Sequence, residues 1–128
     1  ILAENNSDAP RTSHKIDHLS SKRIIVKEIN NYVQSNLRRR IRLRDIARKL
    51  GVSESHLRMV FRKEIGVSLG KFIIHARMGK ATSLLRSSDM NMSLIAQACG
   101  YGSLNAFCRI FKKEAKVTPL QFRAKCRV

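Results

Sequence analysis

The sequence predicts an all-α fold: seven helices forming two helix-turn-helix subdomains joined by a long linker helix. Three observations predict it. Apolar residues recur at three- and four-residue steps from about residue 22 to the end. No stretch alternates with the period of two that a half-buried strand requires. A segment beginning at Ile46 is partly repeated from Ile95 onward.

Residues 1–21 are polar, with Asn5, Asn6, Ser7, Asp8 and Pro10, and are expected to form a flexible tail. His14 and His18 lie four apart, but two ligands without a third nearby do not make a metal site. Ile25, Ile29, Tyr32, Val33 and Leu37 mark the apolar face of the first helix. Leu43, Ile46, Ala47 and Leu50 mark a short second helix that stops at Gly51. Ser53 is placed to cap the third, whose core face is Leu57, Val60, Phe61 and Ile65, with Gly66 ending it. Ser68 opens a long fourth helix with Leu69, Phe72, Ile73, Ala76, Ala81, Leu84 and Leu85. The fifth is expected after Ser93, with Leu94, Ile95 and Ala98, up to Gly100. Ser103 opens the sixth, carrying Phe107, Ile110 and Phe111. Thr118 and Pro119 supply the seventh with a cap and a first-turn proline. These signals place a domain at 22–127, with helix-turn-helix units at about 43–66 and about 93–116 and the linker helix at about 69–87.

Charge narrows the partner. Lys and Arg number 26 against 9 Asp and Glu, a formal net charge of +17 and a pI near 11.0. Such self-repulsion opposes compaction, so the sequence points to a polyanion whose condensed counterions are released on binding. No apolar run approaches a bilayer span and no helix carries a wide exposed apolar face, which argues against a membrane. Readers of single-stranded RNA expose stacking aromatics, whereas here aromatics are 5% and fall on predicted core faces. Double-stranded DNA is therefore the preferred partner, and a general or RNA-directed basic nucleic-acid binder is the alternative. No Gly-rich phosphate loop, metal-ligand cluster or nucleophile with a spaced base is present, so neither an enzyme nor a cofactor is expected. Cys99, Cys108 and Cys126 are odd in number and lack C-x-x-C spacing, as befits free thiols in a reducing cytoplasm. The chain starts without Met and without a signal-peptide pattern, so it is expected to be a piece of a longer cytoplasmic protein.

The repeat carries the functional expectation. Ile46, Ala47 and Gly51 recur 49 residues later as Ile95, Ala96 and Gly100. Ser53, Leu57, Phe61, Lys63, Glu64, Val67 and Phe72 recur 50 residues later as Ser103, Phe107, Phe111, Lys113, Glu114, Val117 and Phe122. The extra residue falls in the turn after the glycine, where insertions are tolerated. One helical hairpin is weak evidence, but two in a basic chain suggest two recognition helices held apart by a rigid helix, entering major-groove segments about 34 Å apart.

With Leu57, Val60 and Phe61 facing the core, Ser55, Arg58, Met59 and Arg62 form an outward stripe, and Asn105, Cys108, Arg109 and Lys112 form its counterpart. Arg58 and Arg109 can fork onto guanine O6 and N7, Asn105 can pair with adenine, and Met59 and Cys108 can touch a thymine methyl. Ser55 suits one polar base edge or a phosphate. Arg38, Arg39, Arg40, Arg42 and Arg44, with Arg62, Lys112 and Lys113, are expected to hold the DNA backbone. The plain alternative for all of them is a solvated helix face.

The stretch "ARMGKATSLLRSSDMNMSLIAQACGYGSLNAFCRIFKKEAKVTPLQFR", with the repeat and linker before it, resembles the DNA-binding domain of the AraC/XylS family. The corresponding residues include Arg77, Met78, Ala81, Leu84, Leu85, Ile95, Ala96, Gly100, Tyr101, Phe107, Phe111, Lys112, Thr118, Pro119 and Arg123. The resemblance covers about residues 22–127. It implies a bacterial transcription regulator, usually an activator that positions RNA polymerase, with an effector or dimerisation domain N-terminal to this module. It also implies base contacts from the same Ser55, Arg58, Met59, Asn105, Cys108 and Arg109. Lys116 departs from the family's usual Gly, which predicts a tighter or shifted turn, and Gly79 is expected to soften the linker helix.

Overall fold

The computed structural model describes the backbone of residues 14–127 and the side chains of residues 21–127. Among these residues seven helices and no strand occur. They are α1 (His14–Ser35), α2 (Leu43–Leu50), α3 (Glu54–Ile65), α4 (Leu69–Ser87), α5 (Met92–Ala98), α6 (Leu104–Ala115) and α7 (Pro119–Cys126).

Two ends differ from expectation. The tail expected over 1–21 is already helical from His14, while residues 1–13 lie outside the described residues. No Gly or Pro stands between Pro10 and the apolar face that starts at Ile25, so a helix nucleated on that face propagates backward through polar sequence. α5 begins at Met92 rather than after Ser93, because Asn91 Oδ1 accepts the Leu94 N–H at 2.9 Å and takes the cap. The other serine caps are as expected. Ser53, Ser68 and Ser103 accept from His56, Lys71 and Ala106 backbone N–H groups, and Thr118 forms a reciprocal capping box with Gln121.

The buried side chains fall into two clusters. α1, α2, α3 and the start of α4 enclose Ile25, Ile29, Val33, Leu37, Leu43, Ile46, Ala47, Leu57, Val60, Phe61 and Leu69. The rest of α4 and α5–α7 enclose Ala81, Leu85, Ile95, Ala96, Cys99, Phe107 and Phe111. The linker helix is thus part of both cores, which is how one helix holds two lobes. Cys99 is wholly buried, and desolvation raises its thiol pKa, so it behaves as a small core residue. Ile65, expected on the core face, is 43% exposed and lines an open cleft with Val26 of α1 and Phe72 of α4, which leave it uncovered.

The repeat extends into packing. Phe61 meets Phe72 edge-on at 5.0 Å, and Phe111 meets Phe122 edge-on at 5.7 Å. The first turns of α4 therefore do for the first lobe what α7 does for the second. The helix ends match as well. Gly66 closes α3 in the left-handed conformation with φ 91°, and Lys116 closes α6 in the same way with φ 68°. The turn at Lys116 is neither tightened nor shifted; the lysine takes up the glycine conformation at a cost in backbone strain. Lys116→Gly is expected to raise stability by about 0.5–1 kcal/mol, read as a higher urea midpoint with unchanged slope.

Candidate nucleic-acid interface

α3 and α6 are built alike from the chain upward. Each starts at a serine cap that accepts one of the helix's first free N–H groups, from His56 in α3 and from Ala106 in α6. Ser55 and Asn105 are the second residues of their helices. One stripe inward, Leu57, Val60 and Phe61 are at most 1% exposed. With that face fixed, Ser55, Arg58, Met59 and Arg62 are all exposed, and so are Asn105, Arg109 and Lys112. Met59 is 55% exposed, an apolar side chain presented to solvent beside two arginines.

Cys108 departs from the expected stripe. It is half-buried and packs against the second core, so its short side chain does not reach outward as Met59 does. His56 is half-buried beside the cap, where its backbone N–H serves Ser53, and His75 lies on α4 with Nε2 3.9 Å from Glu114 Oε1.

The expected backbone anchors Arg38, Arg39, Arg40, Arg42, Arg44, Arg62, Lys112 and Lys113 are all exposed. Among the described residues none of them pairs with a carboxylate. Three of the acidic groups are paired with other cations: Glu28 with Lys49 at 3.3 Å, Glu114 with Lys71 at 3.6 Å, and Asp89 with Arg127. The Arg127 guanidinium holds the Asp89 carboxyl below its ordinary pKa. Arg62, Lys112 and Lys113 also sit in the last turns of α3 and α6, where cations favour the helix dipole. Arg38, Arg39 and Arg40 lie in the loop between α1 and α2 and line a cleft of ≈ 380 Å³ with Arg77, Tyr101 and Gly102.

Two arginines carry structural roles that spacing alone did not reveal. Arg123 on α7 donates to the Leu85 and Ser88 carbonyls at 3.2 and 3.0 Å, satisfying the C-terminus of α4. Arg77 on α4 donates to the Arg39 carbonyl at 3.0 Å. Each bond spans more than 30 residues of chain, so no local pattern signals it. No group of three or more metal-ligating side chains occurs among the described residues, and no described helix is long and apolar enough to cross a membrane.

Comparison with known proteins places this geometry. A family described as a helix-turn-helix domain matches residues 46–125. The probable transcription factor PqrA of Proteus vulgaris is 35% identical over 101 residues, covering 77% of this chain and 83% of that protein. The Msm operon regulatory protein of Streptococcus mutans is 30% identical over 87% of this chain, but the chain spans only 40% of its length. Among solved structures, the C-terminal domain of AraT, a response regulator from Geobacillus stearothermophilus, matches with a TM-score of 0.75. It is 31% identical, over 79% of this chain and 84% of that one. The DNA-binding domain of AdpA, solved with a target DNA, shares the fold with a TM-score of 0.74 at 24% identity, over 80% of this chain and 92% of that one.

Proposed function

We propose that this chain, which belongs to the AraC/XylS family of DNA-binding transcription regulators and not to an enzyme family, reads two successive major-groove segments on one face of a duplex. The observation that carries the reading is the duplicated, serine-capped recognition helix, each copy presenting an exposed stripe while α4 joins the two cores. Arg58 and Arg109 would fork onto guanines, and Asn105 would pair with adenine. Ser55 and Met59 would make a polar edge contact and a methyl contact, with Cys108 contributing least because half of it faces the core. The exposed arginines of the α1–α2 loop and the cations ending α3 and α6 would hold phosphates.

The test is selection of bound sequences from random duplex DNA at physiological salt. Two short enriched elements about one helical turn apart support the reading. Retention without enrichment, or preference for structured RNA, favours a general basic nucleic-acid binder instead. The selected duplex then supports a second expectation. Arg38→Ala and Arg40→Ala should each weaken binding to all sequences alike and lower the slope of log K against log salt by about 1, checked by titration between 50 and 200 mM salt, a range in which such slopes are readily resolved.

In the longer proteins that resemble this chain, the module is a fraction of the whole, and we place this one likewise in a cytoplasmic regulator with an N-terminal effector or dimerisation domain. Its output would be activation by placing RNA polymerase at the promoter. Transcription in vitro from a template carrying the selected site tests this: more transcript with protein supports activation, less indicates repression.

A further inference from the structure

We propose that Arg77, together with Gly100, fixes the angle between the two lobes and so sets the spacing between DNA elements that the chain accepts; this rests on the two-element reading above. Arg77 stands where α4 passes from one core to the other. Ala76 packs on the first cluster and Met78 on the second. From that position its side chain touches both lobes. Nη2 donates to the Arg39 carbonyl in the first lobe's loop, and the guanidinium lies 5.8 Å from the centre of the Tyr101 ring in the second. Nε is buried without a hydrogen-bond partner, as is the Tyr101 hydroxyl, so the base of the fork and the ring's polar end are withdrawn from solvent at the junction. Burial also raises the Tyr101 pKa, leaving a neutral ring under the cation.

Gly100 completes the junction. A Cβ built there would lie 2.0 Å from the Leu37 carbonyl oxygen and 3.0 Å from Arg77 Nε and Nη2. The backbone of the second lobe's turn therefore meets the backbone of the first lobe's loop directly. The repeat makes the point sharper. Gly51, the counterpart of Gly100 in the first copy, would meet nothing within 4 Å. Both glycines take a positive φ to turn the chain, but only Gly100 also admits the other lobe. Among the described residues a further ion-pair link between lobes runs from Glu114, itself largely covered, to Lys71 and His75 at 3.6 and 3.9 Å, and with those cations half exposed it holds geometry weakly. Gly79, two residues along α4, has open space around it and leaves the helix softest beside the junction. An arginine suits the place because its flat fork donates to a carbonyl and lies against a ring at once, which a lysine ammonium does not do.

The angle matters through leverage. Base steps are only about 3.4 Å apart along the duplex, so a change in the angle between the lobes that slides one reading helix along the groove by that much changes the spacing the pair accepts. Loosening the junction should therefore alter which spacings bind while leaving the sequence of each element unchanged.

The variant is Arg77→Met, which keeps the apolar stem and removes the fork. Residual dipolar couplings from the whole chain should fit one alignment tensor in the wild type and two in the variant. Duplex selection should give one dominant spacing for the wild type, and for R77M a spread over two or more spacings with the same element sequences. R77M with one tensor and one spacing overturns the proposal. Should R77M not fold by circular dichroism, Arg77→Lys is read by the same two measurements, with the same outcomes deciding. A wild type that enriches no paired elements overturns the spacing claim along with the reading beneath it. Paired wild-type elements with an unchanged R77M spacing overturn the junction alone.

Discussion

Alanine at Arg58 or Arg109 is expected to weaken binding to the selected duplex by about 10- to 100-fold each, the loss of a good bidentate base contact. Both side chains are exposed, so folding should change by no more than about 0.5 kcal/mol. They stand on different helices in different lobes, with no shared partner in the structure. Their effects should therefore add in free energy, giving the double variant a loss of about 10²- to 10⁴-fold. The diagnostic is not the size of the loss but its pattern. A base-reading arginine relaxes discrimination at one base pair and leaves nonspecific affinity nearly intact, whereas a phosphate contact weakens every duplex alike. Fluorescence anisotropy at one fixed salt concentration, against duplexes altered singly at each position, separates the two. A uniform loss would return Arg58 and Arg109 to the group of backbone anchors. Met59→Ala should cost less, because a methyl contact carries no hydrogen bond and its wrong base leaves no buried polar group unpaired.

Most of the architecture was readable along the chain because it is written in local terms. A serine cap needs only the backbone N–H three residues ahead, and the core stripe Leu57, Val60, Phe61 follows from helical periodicity. The repeat was readable for the same reason, since a duplicated unit keeps its spacing. What escaped was whatever a neighbouring element decides. Asn91 displaced Ser93 as a cap although both residue types cap well, and which one wins depends on how the chain leaves α4. Cys108 stands at the helical position that Arg58 holds in the first copy, yet being short and pressed by the second core it ends half-buried. Ile65 fits the apolar period, but α1 and α4 leave its end of α3 uncovered. Arg77 and Arg123 counted as two more cations in a chain of 26, and only tertiary structure shows them bonded to carbonyls 35 to 38 residues away. The candidate interface is thus legible as a set of side chains, while its relative placement across the two lobes is a property of the junction.

Phe107→Ala should be the most damaging single change to stability, and its damage should be local. Phe107 is fully buried, 5.5 Å from the Tyr101 ring and 5.7 Å from Phe111, which in turn meets Phe122. Removing the ring empties the centre of the smaller cluster, at an expected cost of about 3–5 kcal/mol. A domain of this kind has only about 5–15 kcal/mol in total. Whether that loss unfolds the chain depends on how tightly the lobes are coupled. They share α4, but their buried side chains form separate clusters, and a single hydrogen bond such as Arg77 to the Arg39 carbonyl contributes only about 1 kcal/mol. A junction of that strength can fix an angle without making the two cores melt as one. Amide hydrogen exchange of F107A should therefore show protection lost in α5, α6, α7 and the second half of α4, while α1, α2 and α3 keep theirs. Binding should follow the same division: the element read by α3 still selected, the element read by α6 no longer enriched. Protection lost evenly from α1 to α7 would mean instead that the shared helix transmits the whole cost and that the two lobes fold as one cooperative unit.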